Sequence, residues 1–297
     1  MNKTSRTGLY LILIVLCVIG IIAGSFLDLP MSKALYIGDA LAFKLISFIT
    51  VIVFFESCVV FLGVLFRQLL AKYKSTSRRV IVCLVFSYLF CSTATLGGAK
   101  IINDPLLAGS FSNLAGTMTG SLLMGSLFLM AGFIFGFFIT GNQYDSAKTK
   151  VLIKLILIFT MGFLIAHYLN CIIDRPSYLR LVTEVDVTGF MPWFRLPKGT
   201  KLLMSLTDLI SSHQGSFVSS HVLYAALFII IFPAYSLVIP SLKKRERHLI
   251  IIAGVFTVMV ILCRLLSGNN YLTDISFAAL YSFKFSMSYN GIRLKRR

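Results

Sequence analysis

Along this chain, long stretches of apolar residues alternate with short segments that concentrate lysine and arginine. The apolar runs fall at 8–27, 45–66, 80–99, 117–140, 155–173, 217–240, 249–266 and 271–290. A helix needs about 20 mostly apolar residues to cross a hydrocarbon core about 30 Å thick, and only helices or closed barrels satisfy their backbone groups there. Runs of this length predict an all-α polytopic membrane protein of about eight transmembrane helices. The first run follows Lys3 and Arg6 and extends uncharged from Thr7 to Leu27, longer than the apolar part of a secretory leader. It reads as an uncleaved first helix, with a leader cut near Ala23-Gly24-Ser25 as the alternative.

Within the runs a few positions break the pattern. Gly116, Gly120, Gly132 and Gly136 form two G-x-x-x-G spacings in the fourth, which let helix backbones approach closely and predict packing, not chemistry. Glu56 lies mid-way along the second run and Lys284 in the last. An ionisable group there faces a partner or a cavity, so Glu56 reads as a buried, hydrogen-bonded carboxyl and Lys284 as a similar case or a side chain that snorkels to the interface.

Composition agrees with lipid as the solvent: 57% of the residues are hydrophobic and 13% charged, with a mean hydropathy of +0.88. The formal net charge of +17 would suggest nucleic acid in a soluble protein. Here the basic residues sit in alternate loops: Arg67, Lys72, Lys74, Arg78 and Arg79; then Lys148, Lys150 and Lys154; then Lys243, Lys244, Arg245 and Arg247. That is the distribution of cytoplasmic segments, so nucleic acid is set aside and both termini are expected in the cytoplasm. The long segment from Asp174 to Ser216 then faces outside, and its apolar stretch Gly189-Phe-Met-Pro-Trp-Phe194 is expected to rest at headgroup level as a lid. The six cysteines lie in or beside apolar runs without C-x-x-C spacing, which predicts neither disulfides nor a metal site.

On the predicted outer face, apolar runs end in three polar clusters: Asp174-Arg175-Pro176, Ser216 through His221, and Arg264 through Asp274. Two arginines with hydroxyls and backbone N–H groups at a helix N-terminus suit a phosphate dianion. His221 could protonate a leaving oxygen, and Asp274, four residues beyond Asn270, could orient that side chain. Taken singly each residue has a plainer role: Arg264 snorkelling, Thr273 or Asp274 capping a helix, His221 a satisfied polar group.

In order and spacing these residues resemble the three motifs of the type 2 phosphatidic acid phosphatase (PAP2) family, which read Lys, six residues, Arg-Pro; then Pro-Ser-Gly-His; then Ser-Arg, five residues, His, three residues, Asp. Arg175-Pro176 matches the end of the first, Ser219 and His221 the second, and Arg264 and Asp274 the third. The resemblance spans roughly residues 80 to 290. It implies a six-helix PAP2-type core at 80–297 behind two N-terminal transmembrane helices at 1–79, and an extracytoplasmic site. Its ligand would be a lipid phosphate or diphosphate. It further implies His221 as acid, Asp274 as orienting group, and Arg175, Ser219, Ser220 and Arg264 as phosphate holders, with no metal or cofactor.

The chain departs from the motifs at Tyr168, Val218, Ser220 and Cys263, and above all at Asn270, where the family has its nucleophilic His. A carboxamide nitrogen is delocalised into its carbonyl and forms no phospho-enzyme intermediate. His213 and His167 are the nearby substitutes. The resemblance therefore leaves open a lipid phosphate phosphatase and a pseudo-phosphatase that binds the same lipids, with a transporter using Glu56 and Lys284 as a remote third.

Overall fold

The computed structural model describes residues 3–104, 106–107, 117–141, 143–184, 189–195 and 215–294. Among them the chain forms α1 (Lys3–Leu35), α2 (Leu41–Lys72), α3 (Thr76–Ile102), α4 (Met118–Ile139), α5 (Ser146–Ile173), α6 (Tyr178–Thr183), α7 (Ser220–Ala234), α8 (Glu246–Leu266) and α9 (Leu272–Leu294). Seven segments of the described chain are long and apolar enough to cross a membrane. Helix α9, at 23 residues, has the length. Thr273, Asp274, Ser276, Ser282 and Ser286, all buried in the bundle, and the exposed Lys284 make it more polar. The protein is thus an all-helical polytopic membrane protein with about seven or eight spans.

Most helices overrun the apolar runs at their polar ends. Helix α2 has 32 residues, about 48 Å at 1.5 Å per residue, so it projects beyond a hydrocarbon core. The run 217–240 is the exception. There the helix occupies only Ser220–Ala234, because Ser219 turns its hydroxyl onto the N–H of Val222 and starts it late, and Pro233 helps to end it. Two 3-10 stretches follow, Tyr235–Leu237 and Pro240–Arg245. Asp145 starts α5 in the same manner, accepting from Ala147 N at 2.8 Å and Lys148 N at 3.1 Å.

Helix α2 fills the centre. Of its most apolar window 72% is buried, against 17% in the first span. Its Phe54 stacks on Tyr224 of α7 with centroids 4.0 Å apart and meets Phe159 of α5 edge-on at 5.1 Å. On its other side α2 meets α4 through glycine: a Cβ at Gly63 would strike the Phe133 carbonyl, and one at Gly136 the Val60 carbonyl. Gly98 and Gly125 bring α3 and α4 together against Ser121 and Ala94 in the same way. The expectation of packing holds for Gly132 and Gly136, while Gly116 lies outside the described residues. Gly132 also makes room for the Glu56 carboxyl, which lies half-buried against α4. Lys284 is exposed on α9.

Helix α1 runs along α9. Tyr10 and Cys17 pack on Ala279 and Phe283, then Gly20 meets Ser276 and Gly24 meets Thr273. The two N-terminal helices are therefore packed into the bundle, α1 along its last helix and α2 in its middle. Chain order brings the C-terminal ends of α1, α3, α5 and α8 together with the N-terminal ends of α2, α4, α7 and α9. The three sequence clusters lie at this end of the bundle. The basic loops lie at the other, where Gln68 ties two of them together by donating to Gln143 O at 3.0 Å and accepting from Asp145 N at 2.7 Å.

Candidate functional site

The site is assembled on a short non-helical segment, Ser216–Ser219, threaded between three helix ends. Helix α5 stops at Asp174, whose left-handed backbone (φ 36°) turns the chain so that Arg175 enters the bundle. Ser216 N then donates to Arg175 O at 2.7 Å, and Asn170 Nδ2 donates to Val218 O at 2.8 Å. Ser219 N reaches Asp274 O at 3.3 Å. Polar side chains beside this segment are used to satisfy its backbone, as buried peptide groups require.

Asn270 is held on both sides. Its Oδ1 accepts from Arg264 Nε at 2.7 Å and from Ser219 Oγ at 3.0 Å, while its Nδ2 donates to Ser216 O at 2.6 Å. The side chain is buried. The turn that presents it depends on Gly268, whose φ of +67° favours glycine and whose missing side chain leaves room for Tyr36 and Tyr178. Arg264 extends a second, long contact of 3.4 Å to Ser47 Oγ on α2.

Beside this lies a different arrangement around Arg175, whose side chain is fully enclosed. Its Nη1 donates to Asp274 Oδ1 at 2.9 Å and to Thr273 Oγ1 at 2.8 Å, and its Nη2 donates to Asp28 Oδ2 at 2.7 Å. The Tyr271 ring covers the guanidinium at 3.9 Å and the Phe190 ring at 5.0 Å. Asp28 comes from α1; it also accepts from Thr273 N at 3.0 Å and from the Thr273 hydroxyl. Asp274 Oδ2 accepts from Tyr271 N at 2.9 Å.

The expected residues thus fall into two groups. Ser219, Ser220, His221, Arg264 and Asn270 come together at the start of α7 and the end of α8. Arg175 and Asp274 come together next to them, but in each other's company. Asp274 does not turn to Asn270, whose side chain is held by Ser219, Arg264 and Ser216 instead. Both terminal nitrogens of Arg175, expected to hold phosphate, are engaged here by the chain's own groups.

His221 stands in the first turn of α7, half-buried, and the charges acting on its ring are those of Arg264 and Lys100. Lys100 is in the last turn of α3. Among the described residues Lys100 and Arg264 form no ion pair. Tyr168, where the first motif has its Lys, is exposed on α5. His167 is buried against the Phe163 ring, and His213 lies outside the described residues. Just past α3, Asp104 accepts from Leu106 N at 3.0 Å. Burial pushes its carboxyl above the usual carboxylate range, with Leu106 N–H, Arg264 and Lys44 pulling it back.

The stretch expected to form a lid packs on the same end of the bundle. Trp193 Nε1 donates to Ser25 Oγ of α1 at 2.9 Å, and its rings stack on Phe217 and meet Phe277 edge-on at 4.9 Å. Phe194 stays exposed.

Sequence reasoning missed Asp28, Ser47 and Lys100. For Asp28 a signal was present: Gly20, Gly24 and Asp28 follow at intervals of four, a face of small residues that ends in an acid. No family model, no curated protein and no solved structure matches this chain.

Proposed function

We propose that this protein is a PAP2-like membrane protein that binds lipid phosphates or diphosphates without hydrolysing them. The observation that carries this reading is the clamp on Asn270. An amide whose oxygen accepts from Arg264 and Ser219, and whose nitrogen donates to Ser216 O, is a fixed structural group at the position where the reaction needs a nucleophile. Loss of such a nucleophile costs on the order of 10⁴ to 10⁶ in rate in hydrolases.

The binding half of the proposal rests on charge. Arg264 and Lys100 direct their charge at His221 in the first turn of α7, and neither forms an ion pair among the described residues. Cations at a helix N-terminus whose neighbouring carboxylates, Asp104, Asp39 and Asp274, act on Arg264 only from beyond ion-pair distance suit a phosphate headgroup, whose acyl or prenyl tails remain in the bilayer. Lys100 supplies from α3 the positive charge that Tyr168 lacks. The basic loops at the opposite end support a cytoplasmic location for that end, and hence an extracytoplasmic site in a cell membrane with both termini inside. Hydrolysis remains the second reading, because His221 keeps the place of a general acid at this site.

The test is phosphate release from a panel of lipid phosphates and diphosphates, with the protein as written and Asn270→His assayed in one detergent. No release from the protein as written is the expected result. Release by it at rates well above background overturns the non-hydrolytic reading and directs attention to His213 and His167. Release by Asn270→His alone identifies position 270 as the silenced step.

A further inference from the structure

Three donors converge on one carboxylate of the first helix. Asp28 accepts from Arg175 Nη2 at 2.7 Å, from Thr273 N at 3.0 Å and from the Thr273 hydroxyl. Thr273 is the second residue of α9, so its N–H belongs to the helix-end donors that have no acceptor within their own helix. An arginine, a hydroxyl and a helix-end N–H directed at one point make an oxyanion site. We propose that Asp28 is a built-in anion occupying such a site, and that the site takes an external oxyanion, phosphate or carboxylate, when the Asp28 carboxylate is withdrawn.

Several features separate this from an ordinary ion pair. The guanidinium already has a carboxylate partner in Asp274, so Asp28 is a second anion on one cation. A second carboxylate in so enclosed a place needs donors beyond the arginine, and the end of α9 supplies them. Arg175 Nε, fully buried, has no hydrogen-bond partner among the described residues, which leaves one donor of this cation unused by either carboxylate. Asp28 is brought in by backbone approach: a Cβ on Gly24 would meet Thr273 and Asp28 itself, and one on Gly20 would meet Ser276. Helix α1 is therefore the carrier of the plug, and the proposal requires α1 to part from α9 for an external anion to reach the arginine. The inference stands on this geometry alone and not on the lipid-phosphate reading, which concerns Arg264 and its neighbours.

The experiment is thermal unfolding of the full chain in detergent with Asp28→Ala, titrated with formate or inorganic phosphate at constant ionic strength against chloride. Asp28→Ala is expected to unfold several degrees below the unsubstituted protein, and formate or phosphate to recover most of that loss while the unsubstituted protein gains little. The recovery should vanish in Asp28→Ala combined with Arg175→Met and persist in Asp28→Ala combined with Arg264→Gln. Short-chain phosphatidate in mixed micelles, against phosphatidylcholine, forms a further arm. Recovery by inorganic phosphate marks a site reached from water and recovery by phosphatidate alone one reached from the bilayer, and either upholds the proposal. Equal gains with and without Asp28, or recovery that survives loss of Arg175, overturn it. Should Asp28→Ala fail to fold, Asp28→Asn keeps the size and one acceptor, and is expected to show the same anion response at lower amplitude. No response in that variant overturns the proposal as well.

Discussion

The two halves of the polar end differ in how their cations are neutralised. Around Arg175, one guanidinium is shared by two carboxylates, Asp28 and Asp274, and covered by the Tyr271 ring, against which Phe190 packs edge-on. Around Arg264, the nearest acceptors are a neutral amide and a distant hydroxyl. Both arginines lie where apolar runs end in the sequence, yet one is ion-paired directly while Asp104, Asp39 and Asp274 act on the other only from beyond ion-pair distance. Placement near a membrane surface does not by itself make an arginine a ligand group. Whether carboxylates reach hydrogen-bonding distance decides whether it is a structural tie or an open anion site.

The largest effect should come from breaking the closed half. Arg175→Met leaves Asp28 and Asp274 buried and facing each other without a cation, at a cost of about 3–5 kcal/mol. Unfolding monitored in detergent measures this, and a loss below about 1 kcal/mol would show that the two carboxylates are not held by Arg175. Next in size is Asn270→Ala, which leaves Ser219 Oγ, Arg264 Nε and Ser216 O without their partner. The expected loss is about 2–3 kcal/mol, most of it the cost of stranded polar groups. Asn270→His probes the same clamp with a side chain that retains ring nitrogens, and should lose less.

The smallest effect concerns the rim of the open half. The Asp104 carboxyl is raised by burial, so the folded state binds its proton more tightly than the unfolded chain does. For an acid shifted upward, folding stability falls as pH rises from the unfolded pKa through the folded one, and the penalty is full above that window. Asp104→Asn should therefore be the more stable protein at neutral pH, and its advantage should shrink as pH is lowered through the raised pKa. Stability curves of the two proteins against pH check this; an advantage that grows on acidification contradicts it.

How much of this was legible beforehand follows the type of force involved. The number and order of the spans were readable because lipid imposes length and apolarity on every crossing segment. Ser219 was readable as the start of a helix because capping is local. The run 217–240 misled, since the stretch before Ser219 is apolar at Phe217 and Val218 yet is a bent, non-helical segment hydrogen-bonded to Arg175 and Asn170. Asp28 was passed over because it follows the apolar run of α1 and looks like an ordinary helix-end charge, whereas its partners are 147 and 245 residues further along the chain. Lys100 was passed over for a similar reason. No local pattern distinguishes a lysine at a helix end that snorkels from one whose charge acts on a histidine of another helix.

The most direct test of the contrast is the shift in unfolding temperature that a short-chain lipid phosphate produces in the unsubstituted protein and in Arg264→Gln, in the same detergent. Binding to the folded state alone raises stability by RT ln(1 + [L]/Kd), about 2.7 kcal/mol at a hundredfold excess over Kd. The account predicts a concentration-dependent rise in the unsubstituted protein that is lost in Arg264→Gln. No rise in the unsubstituted protein, or an equal rise in both, would contradict it.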